Sequence, residues 1–155
     1  SVARVYQRVK TLARSGATLA PFIEFAMRST VVHFAGHSIT NEEQPRYAAL
    51  ALSGDSPEPD MFYAYAIARA KFSETRLVVL ASCSSAMKIE QPAVPATSLA
   101  DAFLDASVPG IVATLWPISD NNSVRTLIDF HRYVALGARA PSACAEGPDF
   151  CITER

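Results

Sequence analysis

The chain has little of what marks the specialised protein classes. Only three of its 155 residues are cysteine. So few, odd in number and irregularly spaced, argue against a disulfide framework and point to a reducing, cytoplasmic compartment. In that setting the sequon Asn121-Asn122-Ser123 carries no glycan. No apolar run approaches the about 18 residues needed to cross a bilayer, so no membrane partner is expected. Lys and Arg (14) nearly balance Asp and Glu (15), and no helix face gathers the cations. Nucleic acid is therefore not expected as a partner either. Glycine-rich phosphate loops, nucleophile-elbow serines and Cys-x-x-Cys pairs are absent, which removes the commonest nucleotide, serine-hydrolase and thioredoxin readings. With Ser1 in place of an initiator Met and no signal-peptide pattern, the segment is expected to begin inside a longer polypeptide.

What is present is the composition of one folded domain. Half of the residues are hydrophobic and 19% are charged, at a length that buries a genuine core. Two short apolar runs each end in a reactive side chain: Val31-Val32-His33-Phe34-Ala35-Gly36-His37 and Leu77-Val78-Val79-Leu80-Ala81-Ser82-Cys83. Each reads as a buried strand that delivers a polar residue to its C-terminal end, the edge where open α/β sheets bind ligands. Gly110 to Leu115 reads as a third such strand, closed by Trp116-Pro117. Apolar spacing predicts helices over 2–14, from Thr18 to about Ser29, over Met61–Ala70, from a cap at Thr97 or Ser98, and over about Asn121–Leu136. Ala48–Leu52 suits a short strand, while Ser38–Tyr47, Ser53–Asp60 and the proline-broken Ser84–Ala96 read as loops. Residues 138–155 have no period and are assigned no structure. Strands alternating with helices imply crossovers and a parallel sheet under helices, an α/β fold. Three strands are few for this much helix, so further strands are expected outside the segment.

Cys83 taken alone is ambiguous, because free cysteine usually packs as a small hydrophobe. Its position at a strand end among Ser82, Ser84 and Ser85 favours the mouth of a loop, where unpaired N–H groups lower a thiol pKa. His37 follows Gly36 and precedes polar residues, the place for an exposed base. His33, between Val32 and Phe34, is better explained as a core histidine with one hydrogen bond. The even spacing of His33 and His37 along one strand would turn both to the same face, but no third ligand stands at a useful distance, so no metal is expected. His131, in mid-helix, is by default solvated or half-buried. Asp120 reads either as an N-cap or as a carboxylate on the same sheet edge as His37 and Cys83, suited to a cationic substrate group. Asp60 and Glu90 are weaker acidic candidates.

These runs, together with Ala113-Thr114-Leu115-Trp116-Pro117-Ile118-Ser119-Asp120, resemble the three signature blocks of CHAT domains, the caspase-like, separase-related domains often found with TPR repeats. Ser98–Leu104, Val108-Pro109-Gly110, Phe130-His131 and Gly137 also follow the family pattern, so the resemblance spans roughly residues 17–137. It implies a three-layer α/β/α sandwich with a mainly parallel sheet. Residues 1–137 would form the domain, incomplete at both ends, followed by an unassigned tail at 138–155. It further implies a cysteine endopeptidase without cofactor, acting on a protein or peptide substrate, with a TPR-containing region of the same polypeptide as a possible partner. By the resemblance, His37 is the base, Cys83 the nucleophile, and the N–H groups of Ser38 and Cys83 line the oxyanion hole. Asp120 would carry a preference for basic P1 residues. Ser38 stands where the family usually has Gly, so its N–H serves only in a backbone conformation that a side chain permits. The competing reading is a catalytically inactive CHAT module that binds partners or relays a signal.

Overall fold

In the computed structural model, which describes residues 1–41, 43–54, 56–82, 98–114, 120–137 and 150–154, the apolar runs are strands of one sheet. β1 (Val31–Ala35), β5 (Leu77–Ala81) and β6 (Gly110–Thr114) lie parallel in the order β1-β5-β6, and β7 (Phe150–Glu154) adds antiparallel to β6. The continuous hydrophobic character of β5 and β6 follows from burial on both faces. One face carries Val32, Phe34, Val78, Leu80, Ile111 and Ala113 into the larger core, under α1 (Leu19–Met27), α2 (Ala64–Ile67) and α3 (Leu99–Asp105). The opposite face packs Leu77, Val79 and Val112 against Leu127 and Phe130 of α4 (Asp120–Ala135). The result is the expected three-layer α/β/α sandwich with a mainly parallel sheet.

A second sheet leaves from the first. β2 (His37–Ile39), β3 (Ala49–Leu52) and β4 (Asp60–Tyr63) form an antiparallel meander in sequence order. Its inner residues Leu50 and Phe62 join the larger core. Phe22 of α1 meets Phe34 and Phe62 edge-on, with ring centroids 5.9 and 6.2 Å apart, and so fastens the two sheets together. The switch between sheets falls at Gly36. A Cβ there would sit 2.8 Å from Cζ of the buried Phe34 ring, so only glycine fits without moving that ring.

Several local expectations fail for tertiary reasons. Residues 2–14 do not form a helix: there is one 3-10 turn at Val2–Arg4, a second at Arg14–Gly16, and irregular backbone between. Val9 is left 48% exposed, so the segment has no continuous apolar face to dock, and most helix stability comes from such docking. The strand ladder with β3 takes Asp60–Tyr63 out of the predicted helix over Met61–Ala70, leaving only α2. Ser38 and Ile39 belong to β2 rather than to a loop. The tail assigned no structure supplies β7, whose partner is the edge of β6 rather than anything nearby in sequence.

Candidate active site

The parallel register sets the geometry of the sheet edge. Ala35 pairs with Ala81 on the last rung between β1 and β5, and Leu80 pairs with Ala113 between β5 and β6. All three strands therefore end at one edge. Two residues past Ala35 the chain reaches His37, and two residues past Ala81 the sequence reaches Cys83. Ser82 is buried at 5% exposure. Cys83 lies outside the described residues, as do the rest of 84–97 (Glu90 among them) and 115–119. Asp120 is the first residue of α4, the helix that follows β6 in sequence.

His37 opens β2 opposite Ala51 and is exposed. Because β1 ends at Ala35, His33 and His37 belong to different sheets and do not share a strand face; that expectation is corrected. Ser38 pairs with Leu50 in the ladder and is half-buried. Its φ is negative, since Arg14 (52°) and Ser107 (68°) are the non-glycine residues with positive φ among those described. The backbone at Ser38 thus needs no glycine, and its N–H suffers no strain from carrying a side chain. Asp60 begins β4 opposite Leu52, half-buried. Among the described residues no group of three or more His, Cys, Asp or Glu is assembled to hold a metal.

The other two histidines meet away from that edge, on the α4 face of the sheet. His33 Nδ1 lies 2.9 Å from His131 Nε2, and His131 Nδ1 lies 2.7 Å from the Tyr6 hydroxyl. His33 has the expected hydrogen bond but is half-buried rather than a core residue. His131 is not the solvated or half-buried residue expected in mid-helix; it is fully buried. Its place four residues after Leu127, on the apolar stripe of α4, is the signal that marks it as inward-facing. Burial holds the His33 pKa below its usual value. Burial, and then the neighbouring His33, push His131 down to about 4, while burial raises Tyr6.

A family model of the CHAT domain matches residues 1–146. The chain belongs to the CHAT domain family. That is a caspase-like family, in keeping with the parallel sheet between two helical layers. No curated protein matches the chain. The CHAT match begins at residue 1, ahead of the first signature block, and runs past Gly137 into the segment that precedes β7. No helix among the described residues of this CHAT domain is long and apolar enough to cross a membrane.

Proposed function

We propose that this CHAT domain is a cysteine endopeptidase that uses Cys83 as nucleophile and His37 as base. The observation that carries the reading is the level ending of β1 and β5 at Ala35 and Ala81, each followed two residues later in sequence by one member of the pair. The Cys83 thiolate attacks the scissile carbonyl and forms the C–S bond, while imidazolium at His37 gives its proton to the leaving amine as the C–N bond breaks. Water activated by the same imidazole then hydrolyses the thioester. The N–H groups of Ser38 and Cys83 stabilise the oxyanion, a role worth about 3 kcal/mol per donor where it has been measured. The regular strand conformation of Ser38 supports its part in this, although the family usually has Gly there. Asp120 supplies the carboxylate for a basic P1 side chain.

The test is labelling and turnover with thiol-reactive and fluorogenic peptides carrying Lys or Arg at P1. Cys83→Ala is expected to abolish turnover with an unchanged circular dichroism spectrum, and His37→Ala to lose selective labelling of Cys83. Labelling of Cys83 no faster than that of Cys144 and Cys151 would favour the interaction module instead.

A further inference from the structure

Three elements far apart in sequence meet at the His33–His131 pair, of which His131 is fully buried and His33 half-buried. His33 stands mid-strand in β1, His131 in α4, and Tyr6 in the irregular N-terminal segment, with ring centroids 4.9 Å (His33–His131) and 5.6 Å (Tyr6–His131) apart, both edge-on. Both nitrogens of His131 are engaged. A neutral imidazole has one donor and one acceptor nitrogen, so the chain runs in one sense. Either the Tyr6 hydroxyl donates to His131, which donates to His33, or the two bonds run in reverse. One added proton is tolerated, because a His131 imidazolium donates to both neighbours. A second proton sets two N–H groups and two positive charges against each other across 2.9 Å, and the His33–His131 bond cannot survive it.

Among the described residues, the other groups seen against the pair are apolar or cationic. Val79 of β5 lies beside His33 in the ladder, and Phe130 flanks His131 at 5.5 Å between ring centroids. The nearby charges of α4, Asp129 and Arg132, pair with each other at the surface at 2.8 Å. From the N-terminal segment, Arg4 lines a groove with Arg132 and adds only positive charge. Among the described residues no carboxylate bonds to either ring.

Tyr6 also starts a strap. Four residues on, the Lys10 ammonium lies 4.8 Å over the ring of Phe25 in α1, on the opposite face of the sheet. Further on, the carbonyls of Arg14 and Ala17 accept bonds from the Ser53 hydroxyl and N–H, at 2.5 and 2.9 Å. The segment therefore passes from one face to the other at β1, the terminal strand of the main sheet.

We propose that the Tyr6–His131–His33 chain is an acid-released latch: protonation of both histidines frees the strap over residues 1–17 and loosens its hold on α4, while the parallel sheet stays folded. It is independent of the peptidase reading, and its test needs no substrate.

The experiment is amide hydrogen exchange on the whole chain from about pH 7.5 to about pH 4.5, corrected for intrinsic rates. Protection over the strap is expected to fall by about tenfold or more, the equivalent of about 1.4 kcal/mol, while β5 and β6 keep theirs. Loss of protection in strap and sheet together, or in neither, overturns the latch. In His131→Phe the strap should already exchange fast at neutral pH and respond no further to acid; a wild-type acid response in that variant overturns the proposal. Tyr6→Phe, which removes only the hydroxyl, should weaken the strap at neutral pH. Where His131→Phe fails to fold, histidine NMR on the unmodified chain decides. His33 and His131 must take up protons together with strap release; protonation of both under a still-protected strap refutes it.

Discussion

At the scale of single residues, the two glycine-related positions around the candidate base behave in opposite ways. Gly36 is required by space, because the Phe34 ring occupies the volume a Cβ would fill. Gly36→Ala is expected to cost about 1–3 kcal/mol in denaturant unfolding, the range for overpacking a filled core. A change under about 0.5 kcal/mol would mean that the ring moves aside freely. Ser38, the departure from the family pattern, is not required to be glycine, since it lies in a regular ladder with negative φ. His131 and Tyr6, which carry no functional expectation from the sequence, join His33 in a hydrogen-bonded chain on the α4 face.

At the scale of elements, locally encoded structure was legible and borrowed structure was not. α3 begins with a full capping box: the Ser98 hydroxyl accepts from Asp101 N–H at 3.1 Å, and the Asp101 carboxylate accepts from Ser98 N–H at 3.0 Å. These are neighbours in sequence, and the cap at Thr97 or Ser98 with the apolar spacing after it makes the helix legible; the part of Asp101 is seen only in the structure. Ser98→Ala should lower unfolding stability by about 1 kcal/mol, measured by chemical denaturation. Removal of Asp101 as well should add little, because the two bonds form one unit. β7 is the contrary case. It pairs with β6 over Thr114↔Phe150 to Gly110↔Glu154, a partner some forty residues away. Deleting residues 150–155 is expected to expose the β6 edge, lower the melting temperature and raise aggregation in light scattering. A deletion that leaves both unchanged would show that the edge gains nothing from this strand.

At the scale of the whole molecule, the paired histidines His33 and His131 link folding to pH. His131 is held down to about 4 in the fold, against about 6.5 in an unfolded chain, and His33 is lowered as well. The unfolded chain thus binds more protons below pH 6.5, so the neutral pair contributes stability that is whole above that value and is lost as pH falls toward about 4. For His131 alone the difference is worth about 3 kcal/mol, an upper figure because solvent and relaxation reduce it. Melting temperature is therefore expected to fall steeply between pH 6.5 and 4 in the wild-type chain and less steeply in His131→Phe. Equal slopes in the two would assign acid sensitivity to carboxylates elsewhere.

By itself the sequence determined that there is a parallel sheet between helices and which three runs are its parallel strands, because such apolar runs have nowhere else to go. It also determined the order of the signature blocks, and with it the candidates His37 and Cys83. Tertiary structure alone decided that β1 and β5 end level, that the chain changes sheets at Gly36, and that β4 is a strand rather than the start of a helix. It also decided that His33 pairs with His131 under Tyr6. Each depends on partners remote in sequence, and hydrophobic periodicity reports which face is buried without naming what buries it.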